Sequence, residues 1–250
     1  MTGLELTTFS IVARCPRSGM LGVAVATAVP AVGSICPYVK AGVGAVSTQS
    51  WVNPYLAIEA LRLMEEGESA PDALERALAG DSRADLRQIG VIDAAGRAAS
   101  WTGSQCTPWC GDIVAEDCAV QGNMLVGGAT LDAMAEAFRD SASEDLAERL
   151  LLALEAGDAA GGDKRGKQSA ALSVYHREDY AWLDLRADEH AQPVAELRRV
   201  YEVARLQLLP FVEGMPRRGE SAEGAPDAVT DVLLRPPPER PGGGGSAPET

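Results

Sequence analysis

The first fifty residues alternate between short β-prone runs and turn signals. The runs are Thr8–Ala13, Leu21–Ala26 and Gly42–Gln49, and Cys15–Gly19 supplies Pro and Gly between the first two. Such runs, bounded by turn residues, are typical of strands. The second run is apolar at every position, which is typical of a strand in a sheet covered on both faces. The chain therefore begins with three predicted strands.

A helical period replaces the strand pattern after residue 50. Leu56, Ala60, Leu63 and Met64 fall on one stripe, and Ser69 precedes a second periodic segment as a capping residue. The same spacing returns twice in the middle of the chain and once near its end. Helices are predicted in the segments 56–64, 70–78, 131–138, 146–154 and 194–209.

Further strands complete the pattern. A hairpin is predicted over 88–102 with its turn at 94–96, a single strand over 112–121, and a strand pair over 170–175 and 180–185. About eight strands result, with the helices in blocks after groups of strands. A parallel α/β fold would alternate strand and helix regularly. The order instead predicts an α+β fold, a four-layer αββα sandwich of two mostly antiparallel sheets flanked by helices.

The composition divides the 250 residues into three parts. Residues 1–7 are a leader or propeptide, and 8–213 form a single domain. From 214 onward Pro, Gly, Ser and Glu dominate, as in Pro236–Pro238 and Gly242–Gly245. Such a segment cannot bury enough apolar surface to fold. Residues 214–250 are therefore predicted to be a disordered tail.

Charge and apolar content exclude some partners. Asp and Glu number 36 against 22 Lys and Arg, so the formal net charge is −14. Such a surface repels phosphate backbones and anionic lipid, so neither a nucleic-acid nor a membrane partner is expected. The longest mostly apolar stretch, Met20–Cys36, contains Gly and Pro and is shorter than the roughly 20 residues of a membrane span. No export signal is present, and five irregularly spaced cysteines fit a reducing compartment, so a cytoplasmic location is expected. A homo-oligomer is left open.

Two motifs that would indicate a cofactor fail on their details. Gly161, Gly166 and Lys167 match part of a phosphate-binding loop, but Gln168 stands where Ser or Thr would reach Mg²⁺. The loop also follows a helix and precedes a strand, the reverse of the required order. The cysteines at 106, 110 and 118 match no zinc spacing and fit small buried side chains. Neither a cofactor nor a metal is expected.

Thr8 offers a different chemistry. A threonine that begins a buried strand can act as a nucleophile when it is the first residue of the chain, because its own α-amine then serves as the general base. That mechanism requires no histidine, and the chain has only two. The simpler interpretation is that Thr8 is a β-branched strand residue.

The sequence as a whole resembles the DUF1028 family, which is assigned to the N-terminal-nucleophile (Ntn) hydrolase superfamily. The resemblance covers Thr8 to about Leu197. It rests on Thr8–Ala13, Leu21–Ala26, Gly42–Val46 with Thr48–Gln49, Arg87–Gln88, Thr102–Gly103 with Cys106 and Trp109, Gln121–Asn123, Gly161–Asp163 through Ser169–Leu172, and Asp184–Arg186 with Asp188 and His190. It implies the αββα sandwich and a nucleophile at Thr8. Family members often begin close to this threonine, whereas Met1 to Thr7 precede it here. Either these residues are removed, or the true start differs, or Thr8 is not a nucleophile.

The leading hypothesis is therefore an Ntn hydrolase that cleaves an amide bond in a small molecule or peptide. Thr8 attacks the carbonyl, and Asn123 or backbone N–H groups near Gln49 stabilise the oxyanion. The residues predicted to bind substrate are Gln49, Arg87, Trp109, Asp163, Arg165, Gln168 and His190. The alternative is a non-catalytic binding or scaffold protein that keeps the same sandwich.

Overall fold

The computed structural model describes residues 5–6, 8–220 and 224–241. The strands are β1 Glu5–Leu6, β2 Thr8–Arg14, β3 Leu21–Thr27, β4 Pro37–Lys40, β5 Gly44–Trp51, β6 Arg87–Asp93, β7 Ala98–Thr102, β8 Gly111–Ala115, β9 Cys118–Asn123, β10 Ser169–Tyr175 and β11 Leu183–Ala187. The helices are α1 Pro54–Glu65, α2 Ala70–Ala79, α3 Ala129–Asp140, α4 Leu146–Ala159, α5 Pro193–Gln207, α6 Leu209–Glu213 and α7 Asp227–Leu233. Packing divides the chain into two units, with the division between Leu197 and Arg198.

Two antiparallel sheets form the first unit. One has the strand order β1-β5-β6-β7, with β4 also paired to β5, and the other has the order β11-β10-β3-β2-β9-β8. Strand β2 lies inside the second sheet, where Thr8 is opposite Thr27 on one side and Asn123 on the other. The first residue of β2 is therefore placed in the middle of a sheet and not at its edge.

The elements stack in four layers. Helices α1 and α2 pack on β5, β6 and β7, whereas α3 and α4 pack on the strands around β2, β3 and β9. The two sheets face each other through β2 and β9 on one side and β5 and β6 on the other. This arrangement confirms the predicted α+β fold with two antiparallel sheets between helices.

Capping residues fix where three of the helices begin. Asn53 accepts a hydrogen bond from the Tyr55 N–H ahead of α1, and Ser69 accepts one from Asp72 ahead of α2. Asp145 does the same for α4. Each side chain satisfies a backbone N–H that has no partner within the helix. The start of α2 after Ser69 was predicted, whereas α1 begins at Pro54, ahead of the predicted segment 56–64.

The predicted single strand over 112–121 is wrong. The segment is a hairpin in which β8 and β9 are joined by Glu116 and Asp117. Asp117 has a φ of 56°, a left-handed conformation that a continuous strand does not contain. Strands β1 and β4, of two and four residues, were not predicted either.

The segment 214–250 contains helix α7, none of whose residues is buried. The predicted disorder of this segment stays a prediction, and its residues 221–223 and 242–250 lie outside the described part. Residues 1–4 and 7 of the predicted leader also lie outside it. Among the described residues, no helix combines the length and the apolar character needed to cross a bilayer.

Candidate functional site

The space between the two sheets changes from apolar to polar along β2. Its apolar end is filled by Val12, Val23, Ala45, Ile92 and Ala119. At the other end the fully buried side chains are polar: Thr8, Ser10, Gln49, Gln88, Gln121 and Asn123. Burying polar groups costs free energy unless they are hydrogen-bonded, so a cluster of buried polar side chains is uncommon in a core. We therefore take this polar end of the sandwich as the candidate functional site.

Thr8 lies at this polar end. Its side chain is fully buried, and its hydroxyl donates to Oγ1 of Thr27 at 3.4 Å. Its carbonyl oxygen accepts from Nε2 of Gln49 at 3.3 Å. In the intact chain the nitrogen of Thr8 is a peptide nitrogen and therefore has no basic lone pair. A nucleophilic role requires cleavage of the bond before Thr8.

Four side chains are linked into one network across the gap between the sheets. Oε1 of Gln49 accepts from the Ser10 hydroxyl at 2.6 Å, and its Nε2 donates to Oε1 of Gln88 at 2.9 Å. That oxygen also accepts from Nδ2 of Asn123 at 2.9 Å. The network thereby connects Asn123, opposite Thr8 in its own sheet, to two strands of the facing sheet.

Gln88 is the centre of this network. Its Nε2 lies 2.8 Å from the carbonyl oxygen of Gly122, 3.1 Å from that of Gly111 and 2.9 Å from Oγ1 of Thr102. Together with the two bonds to Oε1, one amide therefore contacts four other strands. We call Ser10, Gln49, Gln88, Gln121 and Asn123 the amide network.

A glycine makes room for the network. Gln121 donates from Nε2 to the Ser10 hydroxyl at 2.6 Å and lies over Gly90 of the facing sheet. A Cβ atom at residue 90 would be 2.1 Å from Oε1 of Gln121. The close approach of the two sheets at this point therefore depends on the missing side chain.

Two oxygens of the amide network have no hydrogen-bond partner among the described residues. They are Oδ1 of Asn123 and Oε1 of Gln121, and both are inaccessible to solvent. A buried amide oxygen without a donor costs free energy. Asn123 therefore offers an acceptor close to the start of β2, in addition to the second hydrogen on Nδ2.

The glycine-rich loop 161–168 is held against the same end of the second sheet. Oδ2 of the buried Asp163 accepts from the N–H of Ala28, the residue after Thr27, at 3.1 Å. The same carboxylate accepts from Nη2 of Arg165 at 3.2 Å, and the Arg165 side chain keeps 37% of its surface exposed. Asp163 thus positions a partly exposed guanidinium near the end of β3, next to Thr8.

Backbone bonds bring Gln168 and His190 to the same region. The N–H of Gln168 donates to the carbonyl of Thr27 at 2.9 Å, and its own carbonyl accepts from the N–H of His190 at 2.9 Å. The His190 ring is exposed, and its Nδ1 accepts from the N–H of Gln192 just before α5. In this structure the imidazole stabilises the approach to a helix.

Trp109 borders this end from the other side. Its carbonyl accepts from the N–H of Leu125, two residues after Asn123, at 3.0 Å. Its indole lies against Gly111 and Gly128 and remains 40% exposed. Nζ of Lys164 donates to the carbonyl of Pro108 at 2.7 Å and so joins this segment to the glycine-rich loop.

Arg87 has a different set of partners. Its guanidinium donates from Nε to Asp81 at 2.7 Å and from Nη1 to the carbonyl of Trp51 at 2.6 Å. Burial alone would raise the pKa of Asp81, but hydrogen bonds from Arg87 and Asn53 outweigh it and lower that pKa to about 2. Arg87 and Asp81 therefore fasten the loop before β6 to the end of β5.

The Asp81–Arg87 pair predicts a pH dependence of stability. The carboxyl has a pKa of about 2 in the folded chain and about 3.9 in the unfolded chain. Its contribution, about 2 kcal/mol, is complete above about pH 4 and is lost as the pH falls toward 2. Asp81→Asn should lack this component, so urea unfolding between pH 2 and 6 should show the free-energy difference from wild type shrinking in acid. Parallel curves for the two chains would contradict the assignment.

The sequence interpretation missed most of the amide network as a site. It named Gln49 and Asn123, but Ser10, Gln88 and Gln121 were noted only as part of the resemblance or as strand residues. A signal was present: Thr8 and Ser10, and likewise Gln121 and Asn123, are two apart in apolar strands, so each pair lies on one face. These polar pairs mark the face turned toward the other sheet.

Comparison with known proteins shows similarity to a protein family and to solved structures. The model of DUF1028, described as a family of unknown function, matches residues 8–197. A solved structure of a DUF1028 protein from Silicibacter pomeroyi is 30% identical, has a TM-score of 0.79, and the match covers 87% of this chain and 98% of that one. No curated protein matches the chain.

More distant similarity is found to Anbu, the ancestral beta-subunit. The structure from Yersinia bercovieri is 11% identical with a TM-score of 0.37, over 84% of this chain and 98% of that one. A (Gly-1) mutant from Hyphomicrobium sp. strain MC1 is 13% identical with a TM-score of 0.39, over 82% and 99%.

Proposed function

The chain belongs to the DUF1028 family, whose function is unknown, and from the geometry of its site we propose that it is an N-terminal-nucleophile hydrolase acting on an amide bond in a small molecule or peptide. One observation carries the proposal. Thr8 begins the inner strand β2 and is buried at the polar end of the space between the sheets. The match to the family model also starts at residue 8, which supports a functional start there.

The proposed mechanism begins with cleavage of the peptide bond before Thr8. The released α-amine, with an ordinary pKa of about 7.7–8.0, takes the proton from Oγ1 as that oxygen attacks the substrate carbonyl. The leaving amine takes the proton, and water then hydrolyses the ester on Thr8. Oδ1 of Asn123, which has no partner among the described residues, can accept from the new amine, and the second hydrogen of its Nδ2 can stabilise the oxyanion.

The loop 161–168 is the proposed substrate-binding element. Arg165 is balanced by Asp163 and Lys167 by Asp158, whereas Lys164 contacts only a carbonyl oxygen among the described residues. The loop therefore presents the donors of Arg165 and the net charge of Lys164 beside the Thr8 end. This combination fits a substrate with a carboxylate or carboxamide group.

Replacing Arg165 tests this role. Arg165→Ala should raise KM about tenfold and leave kcat within about threefold, because the guanidinium binds substrate in ground state and transition state alike. The melting temperature should not change, because the backbone N–H groups of Ala28 and of residue 165 still donate hydrogen bonds to Asp163. Lys167→Ala, which removes a neighbouring cation paired with Asp158, is the matched control. A lower stability with an unchanged KM would make Arg165 structural.

A non-catalytic binding protein is the second candidate, and the intact chain supplies an observation in its favour. Strand β1 pairs with β5, with Glu5 opposite Trp51 and Leu6 opposite Ser50, so the segment before Thr8 belongs to a sheet. The Thr8 side chain is fully covered in this state. An uncleaved chain would therefore hold the sandwich without an exposed nucleophile.

The two candidates differ in the mass of the native protein. Protein purified from its natural source should have a mass that lacks residues 1–7 if the hydrolase proposal is correct, and this form should turn over members of a panel of amides. A native protein that retains these residues and hydrolyses no amide supports the binding protein.

A further inference from the structure

A second site lies at the opposite end of β2 from Thr8. Strand β2 runs seven residues from Thr8 to Arg14, or about 20 Å. Beyond its far end is a cavity of about 450 Å³, whose wall includes Ile113, Cys118, Ala135, Phe138 and Arg149. That volume is within the range of small-molecule sites. The proposed hydrolase does not use this cavity.

Arg149 is the unusual member of the wall. It lies in the first turns of α4 among leucines and is only 6% exposed. Nη2 donates to the carbonyl of Phe138 at 3.1 Å, and the guanidinium carbon lies 3.8 Å above the Phe138 ring. Nε is buried and, among the described residues, neither Nε nor Nη1 has an acceptor. Most donors of a buried cation are therefore unused.

No carboxylate of the described residues forms a hydrogen bond or ion pair with Arg149, although the charge of Asp117 acts on it from a distance. Asp117, also in the wall, is paired with Arg14 at 3.1 Å, and Glu116 is on the exposed turn. Burial raises the pKa of Cys118 to about 12, so this thiol is neutral beside the guanidinium. Burial lowers the pKa of Arg149 itself, as expected for a cation taken out of water. Among the described residues, no acidic side chain is hydrogen-bonded to this guanidinium.

The other two arginines of the wall have partners. Arg17 donates to the backbone carbonyls of residues 142–144, and so closes the rim between β2 and the end of α3. Arg139 pairs with Asp140 at 3.2 Å on the exposed side of α3. Arg17 has no carboxylate partner among the described residues either, but it is exposed at the rim. Arg149 is therefore the buried cation of the wall to which no described carboxylate is bonded.

We propose that this cavity binds a small organic monocarboxylate, with the carboxylate on Arg149 and an apolar body against Phe138, Ile113 and Ala135. A guanidinium pairs with a carboxylate through parallel hydrogen bonds, and a single cation balances a single negative charge. A phosphate dianion would bring a second negative charge to a wall that already contains Glu116 and Asp117. A neutral ligand would leave the positive charge of the guanidinium unbalanced.

Calorimetric titration of the full chain with phenylacetate tests the proposal. Saturable binding is expected, at least tenfold tighter than that of the neutral isostere phenylacetamide or of inorganic phosphate. Arg149→Met should lose this binding at least tenfold while keeping or raising the melting temperature, because it removes an unpaired buried charge but keeps an apolar side chain on Phe138. Arg62→Met, the same change on the exposed face of α1, is the matched control and should bind as wild type.

Two further variants keep the test decisive. Ala135→Leu fills the cavity without touching Arg149 and should also abolish binding, even if Arg149→Met fails to fold. Burial would raise the pKa of Cys15, but hydrogen bonds from Ser18 and Arg17 outweigh it and lower that pKa. Cys15 also interacts electrostatically with Arg149. Cys15→Ser should bind phenylacetate within about twofold of wild type, because the proposal places the ligand's carboxylate, and not the Cys15 sulfur, on Arg149. Binding that survives Arg149→Met, equal binding of phenylacetamide or phosphate, or a large change in Cys15→Ser would each overturn the proposal.

Discussion

Thr8→Ala is expected to reduce amide hydrolysis by at least about a thousandfold, the scale on which removal of a nucleophile acts. Alanine keeps the α-amine and the strand but has no hydroxyl to attack the carbonyl. Thr8→Ser should keep part of the rate, because serine retains the hydroxyl and lacks only a methyl group. Both variants should be assayed as the form that begins at residue 8, because in a longer chain the nitrogen of residue 8 is part of a peptide bond and cannot act as a base.

Thr48→Ala is the matched control for this experiment. It deletes the same hydroxyl from a fully buried strand position, but in β5, where the alternation of side chains turns Thr48 with Val46 toward α1. It should lower stability slightly and leave the rate of the folded protein unchanged. If full-length protein hydrolyses an amide and Thr8→Ala has the same rate as wild type, the proposed mechanism is incorrect, and the fold assignment is unaffected.

Gln88→Met should destabilise the chain by about 4 kcal/mol. Methionine has nearly the same shape but cannot form hydrogen bonds. The change removes the described acceptor of Nδ2 of Asn123, and it removes the side-chain donor to the carbonyl of Gly122. It also removes the shortest of the three contacts of Nε2 of Gln49. Each buried group without a partner costs about 1–3 kcal/mol, and some relaxation is expected.

Urea denaturation of wild type and variant measures this loss. Gln105→Met makes the same change at an exposed residue whose described hydrogen bond comes from its backbone, and should alter the free energy of unfolding by less than about 0.5 kcal/mol. A loss of under 1 kcal/mol in Gln88→Met would mean that the two sheets are held together without the amide network.

The strand and helix periods were sufficient to predict the layers. Leu21–Ala26 is apolar at every position, and it is covered on one face by the other sheet and on the other by α4, as the sequence pattern predicts. The hairpin around Asp117 could not be predicted from the run 112–121, because a single left-handed residue reverses the chain without a Gly or Pro. Local pattern identifies the elements, whereas such turns depend on backbone conformation.

The site was harder to predict than the fold. The topology brings Thr8, Asn123, Gln49 and the loop around Arg165 to one end of the sandwich, although they are far apart in sequence. The spacing of Thr8 with Ser10 and of Gln121 with Asn123 puts each pair on one face of its strand, but a polar face of a strand also fits exposure to solvent. Only the packing of the second sheet shows that this face is covered. The partners of Arg87 likewise depend on a loop that the pattern does not position.

The pairing of β2 with both β3 and β9 also determines the order in which this sheet can form during synthesis on the ribosome. Ser10 and Gln121, which bond across the sheet, are separated by 111 positions in the chain. Until β9 has been synthesised, β2 can pair with β3 alone, and its other edge remains open to any extended segment nearby. Closing so long a loop is slow. Nascent chains that stop short of residue 118 should therefore depend on chaperones, while those that include β9 can cover this edge themselves.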